Sequence, residues 1–265
     1  MSENLILEIF DNFDYEFEGF KQGNYNTKIE QYFKQIGESK PKYLAIKGST
    51  HQAIGFIKHK MLERKAVIRY KAGDYYIGDY RNNKRHGYGY RRFVNGIMYK
   101  GKYNNDIKVE GIVFDSKRKR IIYEGSWGAD KYNGRGKLAS PTGEVYTGNF
   151  RNGKFHGDGT LTWSNGSQYN GQFADGKRQG QGKLLFNYGD EYEGEFAHNL
   201  FHGYGKYTWS NGDIYEGEFI DGMVIGNGTM SYRSLKIMGS GIWDDISYPS
   251  AVMFNLTNET NHELF

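Results

Sequence analysis

The 265-residue sequence contains no cysteine. Disulfides, thiolate zinc sites and cysteine nucleophiles are thereby excluded, and a reducing compartment fits. Proline occurs only 3 times, too rarely for a proline-rich spacer or a collagen-like helix. Leu, Ile and Val are thin, so a broad aliphatic core is not expected. No run approaches the ~18 apolar residues of a membrane-spanning helix. The opening MSENLILEIFDNFDYEFEGF lacks a cationic start and a long apolar stretch, so no secretory leader is expected. The Asn-X-Ser/Thr triplets at Asn165, Asn255 and Asn258 then read as chance matches.

Glycine and aromatic residues are what the chain has instead. There are 37 glycines, roughly twice ordinary usage. Aromatics make up 17%, and tyrosine leads them at 23. Burial must come largely from rings, each able to hide roughly 150–250 Å².

These residues recur. Tyr76, Tyr99, Tyr123, Tyr146, Tyr169, Tyr192 and Tyr215 are spaced by 23, 24, 23, 23, 23 and 23 residues. Two residues after each tyrosine comes Gly78, Gly101, Gly125, Gly148, Gly171, Gly194 and Gly217. Two further on comes Tyr80, Tyr103, Trp127, Phe150, Phe173, Phe196 and Phe219. Seven after the tyrosine sits Asn83, Asp106, Asp130, Gly153, Gly176, Asn199 or Gly222, residues that tolerate a left-handed backbone. A His-Gly-x-Gly block follows at His86, His156 and His202. Asn133, Gln179 and Ile225 replace the histidine elsewhere, and the unit at Tyr99 carries a shifted Val109-Glu110-Gly111. Ala53 and Gly55 mark a worn first unit, and Gly239 to Trp243 a closing strand.

Rings and glycine at alternate positions lie on one face of a strand, and the turn-prone seventh position reverses it. Each unit therefore predicts a β-hairpin, and hairpins in series predict an antiparallel meander. The glycines give rings room to lie over the sheet, which lets a single layer bury surface. The fold expected is an all-β repeat array: an elongated, twisted, single-layer meander with a small, partly helical N-terminal cap. Helix-compatible spacing over 4–13 and 26–38 supports the cap, and Tyr43 to Ile46 reads as a strand. The organisation expected is 1–52 cap or docking segment, 53–243 array and 244–265 polar tail.

Tyr-x-Gly-x-Phe-x-x-Gly-x-x-His-Gly-x-Gly at this period resembles the MORN (membrane occupation and recognition nexus) repeat. The resemblance spans residues 53 to 243. It implies a non-enzymatic scaffold binding partner proteins, as in cytoskeletal structures, ciliary radial spokes and membrane junctions. The address it implies is cytoplasmic and cytoskeletal, with a ciliary or flagellar axoneme as the most specific form. Partners would lie in a ring-lined groove and against residues 1–52. The aromatics of the second strands that are not fixed by the repeat are the candidate contacts: Tyr88, Tyr90, Trp163, Phe186, Tyr204, Tyr207 and Trp209.

Enzyme chemistry finds no constellation. Gly148 to Lys154 and Gly171 to Lys177 imitate a phosphate loop, but Phe155 and Arg178 follow where Ser or Thr would hold Mg²⁺. His156 and His202 are two units apart, ~19 Å at ordinary strand spacing, too far to share a metal. Glu193, Glu195, Glu216 and Glu218 alternate with the fixed residues and belong to the opposite, solvated face. No catalytic residue, metal ligand, cofactor or small-molecule substrate is assigned.

Charge is uneven. Residues 76–138 carry 15 Lys and Arg against 6 Asp and Glu, and residues 139–265 carry 8 against 15. Lys117-Arg118-Lys119-Arg120 heads the basic part, a candidate contact for an acidic protein or an anionic lipid surface. Nucleic acid fits poorly, since the acidic half would repel it.

Overall fold

The computed structural model describes residues 3–13, 17–18, 28–35, 43–47, 51–58, 61–233 and 237–246. The chain divides into two compact units, Met1–Asp130 and Lys131–Phe265.

The first unit holds helices α1 (Glu3–Asp11) and α2 (Lys28–Gln35). Its strands are β1 (Tyr43–Lys47), β2 (His51–Lys58), β3 (Met61–Tyr70), β4 (Tyr75–Arg81), β5 (Lys84–Arg92), β6 (Ile97–Asn104), β7 (Ile107–Asp115) and β8 (Arg120–Gly128). Each strand pairs antiparallel with the next.

The second unit holds β9 (Lys131–Ala139), β10 (Val145–Arg151), β11 (Lys154–Thr162), β12 (Gln168–Ala174), β13 (Lys177–Leu185), β14 (Glu191–Ala197), β15 (Leu200–Thr208), β16 (Ile214–Ile220), β17 (Met223–Tyr232) and β18 (Ile237–Ile246). These too pair in series, all antiparallel. The all-β meander of hairpins expected from the repeat is the fold observed. The polar tail falls outside the described residues from 247 onward.

The hairpins close with two consecutive left-handed residues, such as Asn82-Asn83, Asn152-Gly153 and His198-Asn199. This backbone matches the natural twist of paired strands. Asn, Asp and Gly at the seventh position are there because they enter that region cheaply.

The worn unit at residue 53 is a true hairpin, β2–β3. Ala53 stands where a tyrosine would be, and Gly55 opposes Ala66 where other units oppose two glycines. With no ring at Ala53 to shelter, the second glycine is not needed. The shifted unit at Tyr99 likewise forms a hairpin, β6–β7, with Gly101 opposite Gly111. At the other end Gly241 opposes Gly228 and Trp243 opposes Gly226, which makes 237–246 the closing strand.

The helices pack on one face of the first unit's sheet. Ile6, Ile9, Phe10, Phe13, Phe17, Ile29, Tyr32 and Phe33 bury against Ile54, Val67, Ile77 and Met98. Tyr75, Tyr90 and Phe114 flank that core. Ile77 and Tyr90 are neighbours on adjacent strands, so they share the helix-covered face. In the second unit the matching positions are Glu193 with Lys206 and Glu216 with Thr229, which are polar. The same repeat position is thus apolar under the helices and polar at these places in the second unit.

Candidate partner-binding face

The repeat builds a spine of rings on the other face. Tyr76, Tyr99, Tyr123, Tyr146, Tyr169, Tyr192 and Tyr215 are all buried. Tyr76, Tyr99, Tyr146, Tyr169, Tyr192 and Tyr215 each lie over a cross-strand glycine pair, as Tyr192 does over Gly194 and Gly205. A Cβ at Gly194 would stand 2.5 Å from Gly205 Cα and 2.7 Å from the Tyr192 hydroxyl. Each hydroxyl donates to the carbonyl three residues on: Tyr76 to Asp79 at 3.1 Å, Tyr146 to Asn149 at 2.9 Å, Tyr192 to Glu195 at 2.8 Å. In the Tyr146 and Tyr192 hairpins the register shifts right beside that carbonyl, so the tyrosine satisfies backbone that a bulge leaves unpaired. Burial pushes the Tyr169 hydroxyl, and that of Tyr132 beside the spine, up to about 12. It raises the Tyr76, Tyr146 and Tyr192 hydroxyls as well.

In the Tyr76, Tyr169 and Tyr215 hairpins the residue three after the spine tyrosine braces the same bulge from the opposite face. Asp79 accepts from Tyr88 N at 3.0 Å, Gln172 from Gln181 N at 3.1 Å and Glu218 from Asn227 N at 3.1 Å. Glu193, Glu195, Glu216 and Glu218 are all exposed.

Successive hairpins are joined at the turn edge of the seventh position. Its N–H donates to the carbonyl of the ninth-position residue one unit earlier: Asp106 to Arg85, Gly153 to Tyr132, Gly176 to Phe155, Asn199 to Arg178 and Gly222 to Phe201, at 2.8–3.1 Å. The two positions are matched. Where the ninth is Arg85, Lys108 or Arg178, the seventh is Asp106, Asp130 or Asn199. Where the ninth is Tyr132, Phe155 or Phe201, the seventh is Gly153, Gly176 or Gly222. Phe155 and Phe201 stack on Tyr146 and Tyr192 with centroids 3.7 Å apart. Arg85 instead bonds Asp106 Oδ1 through Nε at 2.8 Å and lies 4.9 Å over the Tyr103 ring. Lys108 lies 4.3 Å over Trp127 and 3.9 Å from Asp130. The spacing alone carries this matching, visible in these six junctions as cation with acid or amide and ring with glycine, 21 or 22 residues apart, while the first junction pairs Leu62 with Asn83.

The structure does not bring the seven candidate aromatics to one face. Trp163, Phe186, Tyr207 and Trp209 lie on the ring face, where Tyr207 sits 4.8 Å from Trp209 and 6.2 Å from Phe186. Phe186 is buried there, and the other three are half-buried. Tyr88 and Tyr204 point the other way, opposite Lys102 and Glu218, and are 62% and 58% exposed. Tyr90 packs against the N-terminal helices. The signal that separates them is parity: a ring one residue from the glycine pair lies on the face opposite the spine. Lys117, Arg118 and Lys119 are exposed on the turn between β7 and β8, while Arg120 begins β8 and is half-buried.

Six of these hairpins match the MORN-repeat family model, at residues 76–98, 123–145, 146–168, 169–190, 192–214 and 215–234. Together they cover just over half of the sequence. The chain belongs to the MORN-repeat family. MORN repeats are a binding family, generally non-enzymatic, with protein and lipid ligands. The matches omit the hairpin at Tyr99, whose glycine block is shifted, although it keeps the family's ring and glycine pair. No curated protein matches the sequence. Among solved structures, the TCP domain of SAS-4 (dCPAP) from Drosophila melanogaster, in complex with a proline-rich motif of Ana2 (dSTIL), is similar at 9% identity and a TM-score of 0.32. That match covers 77% of this chain and 96% of the other, and at this score it carries no argument. Among the described residues, no helix of this MORN protein is long and apolar enough to cross a membrane.

Proposed function

We propose that this MORN protein is a non-enzymatic adaptor that holds partner proteins on the ring face of its sheet, within a cytoskeletal and most specifically an axonemal assembly. The observation that carries this reading is the set of half-buried rings, Trp163, Tyr207 and Trp209, beside the fully buried spine. Rings with one flank fixed and one flank free are the anchors that protein interfaces favour. The spine tyrosines and their glycines are already used in holding the hairpin together. The organisation proposed is 1–52 as cap, 53–243 as partner-binding array and 244–265 as tail.

The test is to tag the protein in its own cell and extract with non-ionic detergent. Retention with the axonemal or other cytoskeletal fraction, lost on W163A/W209A, supports the reading. Complete extraction of the wild type would overturn it.

A second reading rests on Lys117, Arg118 and Lys119, exposed together on one turn. They would meet anionic lipid as a peripheral membrane contact. Co-sedimentation with phosphatidylserine vesicles at low salt, abolished by K117A/R118A/K119A, supports it. No sedimentation at low salt, where screening is weakest, rules it out.

A further inference from the structure

Three cations occupy the ninth position, and two are neutralised within the chain. Arg85 has the carboxylate of Asp106, and Lys108 has Asp130. Arg178 has Asn199, an amide, at the same place. Its backbone N–H donates to Asn199 Oδ1 at 2.8 Å, and its Nη2 donates to the Asn199 carbonyl at 2.7 Å. Nη1 is buried and has no acceptor among the described residues.

Arg178 is also the most enclosed of the three, at 5% exposure. The Trp163, Tyr169 and Phe196 rings surround it, at 5.6, 5.8 and 5.5 Å. Rings offset part of a buried charge, but they accept no strong hydrogen bond from a guanidinium. Burial holds this guanidinium down at about 10, against an ordinary 12.5. The buried carboxylate of Asp190 is engaged elsewhere, by the Tyr207 hydroxyl at 2.6 Å and Ser210 N at 2.8 Å. Tyr169 and Phe196 are fully covered, whereas Trp163 is half-buried, so approach to Arg178 is from the Trp163 side.

We infer that Arg178, walled by Trp163 and Phe196, is a carboxylate-receiving site, and that the segment seated on the ring face of the second unit presents an Asp or Glu side chain there. The partner supplies from outside the acid that Asp106 and Asp130 supply from within at the other two cation junctions. A guanidinium pairs with a carboxylate through parallel N–H donors, which fixes orientation as well as binding. This rests on the adaptor reading and gives it a chemical preference: the bound segment is acidic at one defined place.

The experiment uses the full chain and two small probes, 3-phenylpropionate and 3-phenylpropionamide. They share the ring and differ in the carboxylate. The Trp163 indole N–H and Arg178 Nε–H resonances are followed by NMR during titration. The acid is expected to shift both saturably and to bind about tenfold tighter than the amide, with the preference lost at 1 M salt. N199D, which places an acid where Asp106 stands for Arg85, is expected to abolish the preference. R178F, which sets an apolar side chain against Asn199 as Leu62 stands against Asn83, is expected to do the same while keeping the fold by circular dichroism. Equal response to acid and amide, no response to either, or an unchanged preference in folded R178F would overturn the inference. Those outcomes leave the cytoskeletal-retention test untouched, so failure here and failure of the adaptor reading are separable.

Discussion

Arg178 and Asn199 lie 21 residues apart and bind each other three times: main-chain N–H to side-chain oxygen, guanidinium to main-chain oxygen, and Asn199 N–H to the Arg178 carbonyl. One hairpin thus completes the backbone bonding of the hairpin before it. The matched junctions let the array be treated as a set of separable couplings.

The first prediction concerns that couple. N199D should stabilise the protein by about 1–2 kcal/mol, because it gives a buried guanidinium a charged acceptor. In the R178F background the same substitution should destabilise by a similar amount, since the new carboxylate then faces a ring. Thermal melts of the four proteins check the reversal of sign.

The second concerns the glycines under the spine. At G194A the new methyl collides with Gly205 Cα and the Tyr192 hydroxyl, and the backbone itself must move. A loss of about 3 kcal/mol or more is expected. At G153A nothing lies within 4 Å of the added carbon, and only the left-handed backbone is strained. A loss of about 1 kcal/mol is expected there. Urea denaturation of the pair compares the two directly.

The third concerns alkaline pH. Burial raises the spine tyrosines above their ordinary 10.0, so the folded state favours the neutral phenol. Their contribution is complete below about pH 10 and is lost as pH rises past it, because the unfolded chain ionises first. Arg178 runs the opposite way: its folded value of about 10 lies below 12.5, so its contribution rises over that interval. One arginine is outweighed by many tyrosines. The melting temperature should fall steeply above pH 10, and the spine tyrosines' share of the tyrosinate absorbance should appear together with unfolding rather than before it.

The fourth concerns the helical cap. Phe10 is fully buried between α1 and the sheet, and Ile77 is buried beneath the cap. F10A should cost about 3–5 kcal/mol. I77E should cost as much or more, although Glu193 and Glu216 at the same repeat position are harmless. Loss of stability in I77E with none in E193I would establish that the cap, not the repeat, sets this position.

Much of this was legible in the sequence. The period gave the hairpins, and the ring and glycine spacing gave the spine. What resisted reading has physical causes. The candidate contacts share a strand type but not a face, and one step of parity separates Tyr90 under the cap from the ring face. Ile77 and Tyr90 stand where Glu193 and Lys206 stand later, a local break in polarity that marks the helix-covered stretch. The junction matching joins residues of neighbouring units, so a scan of one unit at a time passes over it. The role of Arg178 depended on burial, which no spacing reports.

The junction matching also limits how such an array can lengthen. A duplicated hairpin must meet its own copy, so its ninth position has to suit its own seventh. The hairpins at Tyr76, Tyr99 and Tyr146 satisfy this, with Arg85 and Asn83, Lys108 and Asp106, and Phe155 and Gly153. Those at Tyr123 and Tyr169 do not, since Tyr132 would meet Asp130 and Arg178 would meet Gly176, whereas Phe201 would meet Asn199 as Leu62 already meets Asn83. The first three are extensible modules. The hairpins at Tyr123 and Tyr169 are adaptors between two junction dialects, and the array lengthens most readily where its grammar already repeats.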